Sequence, residues 1–385
     1  MICKPDINDL NLGQLQEWLA RQGIAAYRGG QILRWINGRR VDSFEQMTDL
    51  SKADREKLES HFEIGRLAIL QVEVSRDGSR KYLFGLSDGL RIESVLIPER
   101  GHYTLCISTQ VGCALGCRFC LTGKGGFLRN LGQGEIIAQV RDIQRVLTDP
   151  ALLTNIVLMG MGEPLANYAN VTAALNTLTD NGLGFRFAGR RVTLSTAGLA
   201  PRLMQFGRDT NANIAISLNA TDNRTRDFLM PINKTHPIEK LLAACRKYPL
   251  RPHRRITFEY ILIKGVNDSE ADARRLAVLL SQVKAKINLI PFNPHPDSEF
   301  ERPEETVIER FQKILLDKHY TVMVRRSKGG DISAACGQLI GNSREVSVHR
   351  APHLLCCRAL EVQKYVCAPD ALHLRHPVNA YNEVV

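Results

Sequence analysis

The sequence predicts an α/β protein: a partial (βα)6 barrel with a small helical N-terminal accessory domain and a β-hairpin extension. Three observations predict it. Six short apolar, β-branched runs succeed one another from Thr104: "TLCIST", "NIVLMG", "RVTLST", "NIAISLN", "RITFEYILI" and "KINLIPF". Segments with helical spacing separate most of them, at Gly134–Arg145, Ala169–Leu178, Ile238–Arg246 and Glu270–Val283. Strands that alternate with helices need crossover connections, which makes neighbouring strands parallel. Six units are too few for an eight-fold barrel and suit an open or partial one.

The elements follow in chain order. Residues 1–67 form the helical accessory domain. Leu10, Leu12, Leu15, Trp18 and Leu19 recur at helical spacing, as do Ile32, Leu33 and Ile36. Arg28, Arg34, Arg39 and Arg40 lie in or beside the second segment, where they form either a phosphate-contacting surface or an ordinary solvated face. Residues 68–98 form the extension. It alternates in polarity and is punctuated by Asp77-Gly78 and Asp88-Gly89, both good hairpin turns. Residues 99–341 form the barrel, with a further strand, "YTVMVR", ending at Arg325. Residues 342–385 form a tail with no sustained period and three cysteines, to which no role is assigned.

Composition narrows the function. The chain has 385 residues, 44% of them hydrophobic, enough for one large core and a smaller one. Its formal net charge is +11. A soluble protein this basic favours an acidic partner, nucleic acid first, although a merely basic enzyme is equally compatible. No run of 18 apolar residues predicts a membrane span. The N-terminus carries Lys4, Asp6 and Asp9 and lacks the apolar stretch of a signal peptide. A cytoplasmic location is therefore expected. In a reducing compartment, spaced cysteines read as metal or redox chemistry rather than a disulfide framework.

The sharpest chemical signal is "VGCALGCRFC", in which Cys113, Cys117 and Cys120 form C-x3-C-x2-C. Three thiolates on one loop can bind three corners of an iron–sulfur cluster or three positions on zinc. Structural zinc takes four ligands, and no fourth Cys or His lies nearby. A [4Fe–4S] cluster held by three cysteines leaves one iron open. The loop follows the first barrel strand, and functional residues of β/α barrels gather at the C-terminal strand ends. Other unusual residues fall at the same edge. Gly162 and Glu163 in "MGMGEP" follow the second strand, and Ser195 ends the third. Ser217, Leu218 and Asn219 end the fourth, and Asn293 follows the sixth. A bare backbone, a carboxylate, hydroxyls and amides suit a ligand with a ribose and an α-amino acid. Singly, Ser and Asn at such positions more often cap helices. Two further cysteines stand apart: Cys106 on the first strand, and Cys336 in the glycine-flanked "KGGDISAACGQL".

Taken together, "YRGGQILRWI", "RIESVLIP", "CISTQVGCALGCRFC", "LMGMGEPL", "RVTLSTAG", "IPFNP" and "GGDISAACGQL" resemble the RlmN/Cfr family of radical-SAM RNA methyltransferases. The likeness runs from about Leu10 to Gly341. It implies a radical-SAM barrel with a [4Fe–4S] cluster on Cys113, Cys117 and Cys120. It also implies S-adenosylmethionine (SAM) contacts by Gly162, Glu163, Ser195, Ser217, Leu218, Asn219 and Asn293. Cys336 would carry the methyl group as S-methylcysteine, Cys106 would resolve the protein–RNA adduct by disulfide formation, and Glu93 would accept a proton. The implied reaction is methylation of adenine C2 in 23S rRNA and tRNA, using two SAM molecules in ping-pong order. A flavodoxin- or ferredoxin-type electron donor and a monomeric enzyme are also implied. Two departures stand out: Asn219, where the family often has His, and the cysteine-bearing tail. Competing readings are a Cfr-like methylation at adenine C8, a zinc-stabilised RNA-binding protein without catalysis, and a radical-SAM enzyme acting on a protein or small molecule.

Overall fold

The computed structural model describes residues 4–295 and 298–341, so the tail 342–385 lies outside the described residues. Three helices open the chain: α1 (Leu12–Arg21), α2 (Arg28–Leu33) and α3 (Lys52–His61). Asn11 begins α1 with a reciprocal cap: its side chain accepts from Gln14 N–H while the Gln14 side chain accepts from the Asn11 N–H. The apolar residues singled out by spacing, among them Leu15, Trp18, Leu19, Ile32 and Ile36, bury a core of their own.

Three antiparallel strands follow: β1 (Ala68–Val74), β2 (Arg80–Gly85) and β3 (Arg91–Glu99). Gly78 and Gly89 take positive φ in the turns between them, as the Asp-Gly pairs require. A third tight turn at Arg100-Gly101 leads β3 into β4 (His102–Cys106), the first barrel strand. The extension is therefore not a separate ribbon. Its strands continue the barrel sheet edge to edge, because each short turn leaves the next strand beside the last.

Beyond β4 come the two-stranded ribbon of β5 (Gln110–Gly112) and β6 (Phe127–Asn130), with the short α4 (Leu121–Lys124) between them. The repeating units follow: α5 (Gln133–Val146), β7 (Leu153–Leu158), α6 (Tyr168–Thr179), β8 (Val192–Thr196), α7 (Ala200–Asp209), β9 (Asn213–Ser217), α8 (Asn223–Leu229), α9 (Ile238–Arg246), β10 (Ile256–Leu262), α10 (Glu270–Leu280), β11 (Ala285–Pro291), α11 (Glu305–Asp317) and β12 (Val322–Val324). One ten-stranded sheet runs β1-β2-β3-β4-β7-β8-β9-β10-β11-β12, parallel from β4 onward. The six expected barrel strands are all present in the expected order. The run "YTVMVR" adds a seventh parallel partner, β12. The main core lies between this sheet and the helices packed along it.

The N-terminal region docks on α5 and on the loop that follows α6. Asp9 accepts a hydrogen bond from Gly134 N–H at 2.8 Å, and Asn37 donates to the Leu183 carbonyl at 3.0 Å. The buried Arg141 of α5 donates to the Gly65 carbonyl. Arg34 and Arg39 remain exposed, the latter stacked on Trp35 at 3.8 Å. Among the described residues, no helix is long and apolar enough to cross a membrane.

Candidate active site

The C-terminal strand ends open into one cavity, and the cysteine loop forms part of its wall. The loop is held at its base by β5 and β6. Gly112 has φ +76°, and a Cβ there would lie 1.9 Å from the Gly126 carbonyl oxygen, so only glycine allows the two strands to close. Cys113 N–H donates to the same carbonyl at 2.8 Å. Cys113, Cys117 and Cys120 all line the cavity and all are free thiols. Burial pushes the Cys113 thiol up to about 12, and burial with the charges of Cys120 and Cys113 pushes Cys117 well up. Charge on one of these thiols disfavours charge on the next, so all three cannot ionise without a compensating cation. A donor set of three soft sulfurs on one loop fits an iron–sulfur cluster, whose metal would supply that charge.

The loop after β7 supplies Gly162 and Glu163. Gly162 has φ +101°, and a Cβ there would meet the Gln110 side chain at 2.5 Å. Gln110 Oε1 accepts from Glu163 N–H at 2.7 Å, which ties this loop to the base of the cysteine loop. Glu163 is buried, and burial raises its pKa. One of its oxygens accepts from Leu165 N–H at 2.9 Å and the other from Ala197 N–H at 2.7 Å. The carboxylate thus fixes the loop after β8 as well as facing the cavity.

Of the other expected SAM contacts, Ser195, Ser217 and Asn219 line the cavity. Asn219 has φ +58°, a left-handed conformation that Asn tolerates better than most residues. Its Oδ1 accepts from Ile261 N–H at 2.9 Å, which joins the ends of β9 and β10. Leu218 and Asn293 are not in the cavity wall. Leu218 is wholly buried in the main core, and only its backbone participates, with its N–H donating to the Glu259 carbonyl at 3.0 Å. Asn293 instead donates to the Cys336 carbonyl at 3.3 Å, so it holds the loop that carries this cysteine.

Cys336 and Cys106 share the wall of this cavity although 230 residues separate them in the chain. The Cys336 loop is pinned to the cluster loop: Leu121 N–H donates to the Gly337 carbonyl at 2.7 Å, and Thr122 Oγ1 to the Leu339 carbonyl at 2.6 Å. Burial pushes Cys106 up to about 12, the charge of Cys336 adds to this, and the Arg325 guanidinium opposes it. Burial also raises Cys336, again against Arg325. Glu93 lies behind this loop rather than in the cavity wall. One carboxylate oxygen accepts from Ile340 and Gly341 N–H, at 2.9 and 3.2 Å, and the other faces Lys81 Nζ at 3.4 Å. In this conformation Glu93 anchors the Cys336 loop.

Sequence reasoning missed three charged residues. Glu259 interrupts the apolar run of β10, and Arg325 closes the run of β12. A charge inside or at the end of a buried strand was the available signal. Arg226 of α8 is fully buried and donates to the carbonyls of Ala197, Ser217 and Leu218, bracing two cavity loops at once. Nothing in "NRTRDFL" marks it.

Residues 107–277 match the radical SAM superfamily, and residues 5–64 match the ribosomal RNA large subunit methyltransferase N-terminal domain. The chain is 58% identical over 340 residues to the dual-specificity RNA methyltransferase RlmN of Desulfosudis oleivorans, covering 88% of this chain and 92% of that protein. It is 50% identical to the RlmN of Syntrophobacter fumaroxidans, covering 87% and 97% of the two chains. The crystal structure of a radical SAM methyltransferase from Sphaerobacter thermophilus is similar with a TM-score of 0.82 at 42% identity, covering 88% of this chain and 99% of that one. This protein belongs to the RlmN family of radical-SAM RNA methyltransferases.

Proposed function

We propose that this enzyme methylates C2 of an adenine in 23S rRNA and in tRNA, with Cys336 as methyl carrier and Cys106 as resolving thiol. The observation that carries the reading is the shared cavity of Cys336, Cys106 and the Cys113, Cys117 and Cys120 loop. Relatives named as dual-specificity RNA methyltransferases support the substrate class.

Adenine C2 is an electron-poor carbon between two ring nitrogens and does not attack the methyl of SAM directly. A thiolate does. Cys336 Sγ displaces the methyl from the sulfonium of one SAM, forming one C–S bond as another breaks, and S-adenosylhomocysteine leaves. Cys113, Cys117 and Cys120 would hold a [4Fe–4S] cluster, which when bound supplies an electron for cleavage of a second SAM and so for activation of the methyl carbon. Once that carbon is bonded to C2, and the C2 proton and the unpaired electron have both left (the electron back to the bound cluster), the Cys106 thiolate attacks Cys336 Sγ. The S–S bond forms, the S–CH2 bond breaks, and its electron pair goes to the carbon, which takes a proton to become methyl. Exchange with an external thiol restores the pair. Glu93 accepts the C2 proton in this scheme, which requires the Cys336 loop to release its carboxylate. Arg28, Arg34, Arg39 and Arg40 of the N-terminal helices supply contacts to RNA phosphates. The enzyme works in the cytoplasm as a monomer and takes electrons from a flavodoxin- or ferredoxin-type donor.

The test is product analysis. Anaerobically reconstituted enzyme is incubated with SAM, a reductant and unmodified 23S rRNA or tRNA, and the digested nucleosides are identified by mass spectrometry. 2-Methyladenosine is the expected product. 8-Methyladenosine, the Cfr-like outcome, overturns the regiochemistry. Neither product, from protein that binds iron and sulfide and cleaves SAM, overturns the substrate.

A further inference from the structure

Glu259 lies in the middle of β10, where its side chain is 8% exposed and lines the cavity. A carboxylate this buried normally has both oxygens satisfied. Here one is and one is not. Oε2 accepts from Ser195 Oγ at 2.8 Å. Oε1 accepts no hydrogen bond among the described residues. Its nearest cation is Arg325 Nη1 at 3.9 Å, an ion pair too long to be a hydrogen bond. The cavity therefore contains a buried acceptor that waits for a donor from outside the chain.

The surroundings select the donor. Arg325 already balances the charge of Glu259, and a second cation at Oε1 would meet that guanidinium. A neutral donor would not. The neighbours are hydroxyls: Ser195 at the end of β8 bonds Glu259 directly, and Ser217 at the end of β9 is paired with Glu259 in the strand register. A row of oxygens on three adjacent strands, at the ends of β8 and β9 and in the middle of β10, matches a vicinal diol. The other buried carboxylate, Glu163, already accepts a backbone N–H on each oxygen.

We infer that Glu259 is a substrate-binding residue whose Oε1 accepts a hydrogen bond from a ribose hydroxyl of SAM. The inference rests on the reading of the cavity as a SAM site. It also makes Ser195 a bridge: by donating to Glu259, it fixes the carboxylate in the orientation that leaves Oε1 toward the ligand.

The experiment measures binding rather than turnover. Anaerobically reconstituted holoenzyme, with Glu259→Leu and Glu259→Gln variants of unchanged iron content and melting temperature, is titrated with three unreactive probes. They are S-adenosylhomocysteine, 5′-methylthioadenosine (neutral, no amino acid) and 2′,3′-dideoxy-5′-methylthioadenosine. A hydrogen bond to a charged acceptor corresponds to roughly 10- to 100-fold in Kd. Glu259→Leu is expected to weaken the first two probes by that factor. Glu259→Gln, which keeps an acceptor, should fall between. The dideoxy probe should bind parent and variants alike. Weakening of S-adenosylhomocysteine but not of methylthioadenosine would assign Glu259 to the ammonium and overturn the inference. So would equal weakening of the dideoxy probe, which points to the adenine amine. Unchanged affinity for all three leaves Glu259 as a partner of Arg325 only, which also overturns it. If the parent enzyme binds none of the probes, it is the SAM-site reading that fails.

Discussion

Replacing Arg226 with methionine tests whether one buried guanidinium holds the cavity loops in shape. Arg226 has no exposed surface. It donates to Ala197 O at 2.7 Å, Asn233 Oδ1 at 2.9 Å, Leu218 O at 3.0 Å, Ser217 O at 3.1 Å and His236 O at 3.3 Å. Among the described residues no carboxylate lies at hydrogen-bond distance from it, and burial lowers the guanidinium only to about 10, so it stays charged at neutral pH. Methionine fills much of the volume but donates nothing. Each buried acceptor left bare costs about 1–3 kcal/mol. Leu218 O retains a bond from Ala220 N–H, so its loss is discounted. Leaving out the long contact to His236 O as well, the three acceptors Ala197 O, Asn233 Oδ1 and Ser217 O at the lower figure give about 3 kcal/mol. At about 2 °C per kcal/mol for a chain of this size, the melting temperature should fall by about 6 °C. Because Ala197 and Ser217 border the cavity, affinity for S-adenosylhomocysteine should fall too. Arg226→Lys keeps the charge but not the fork and should lie between. The assay is thermal melting by circular dichroism, followed by titration calorimetry below the transition. A methionine variant that melts within about 1 °C of the parent and binds as tightly would refute the argument.

Three other outcomes follow from the same geometry. Gly112→Ala should prevent β5 and β6 from closing, and iron and sulfide after reconstitution should drop to less than about half of the parent's. Full iron loading would show that the ribbon does not set the cysteine loop. The Cys106 thiol, pushed up to about 12, should alkylate slowly in cluster-free protein. At pH 8 only about one part in ten thousand is thiolate, against roughly a quarter for an ordinary cysteine. The fold favours the protonated form, so the stability that protonation contributes is intact below the unfolded pKa of about 8.5 and is lost as pH rises toward 12. Iodoacetamide labelling should accelerate about tenfold per pH unit across that window, and a rate at pH 8 equal to that of free cysteine would contradict the burial argument. Finally, Cys106→Ala should accumulate a covalent protein–RNA adduct on denaturing gels under turnover conditions, whereas Cys336→Ala should form none. An adduct-free Cys106→Ala reaction removes Cys106 from the resolving role.

Much of this protein could be read from local patterns, because those patterns are set by local forces. The β-branched runs and the helical spacing between them determine parallel βα units, and the Asp-Gly pairs determine the hairpins. C-x3-C-x2-C determines a soft three-sulfur donor set, since all three residues sit on one loop and need no distant partner. Strand-end placement brought Gly162, Glu163, Ser195, Ser217 and Asn219 to one edge for the same reason. Only tertiary structure decided the rest. Cys336 reaches Cys106 and the cysteine loop because Gly337 and Leu339 hydrogen-bond across to Leu121 and Thr122. Glu93 anchors that loop from a strand outside the barrel. Leu218 turns into the core while Ser217 and Asn219 face the cavity, at the bend just beyond β9 where Asn219 takes positive φ. Arg226 carries no sequence signature of its role, and the charges of Glu259 and Arg325 stand out in apolar runs without showing what they contact. A buried charge is tolerated only where several elements converge to satisfy it, and convergence is a property of the fold rather than of any segment.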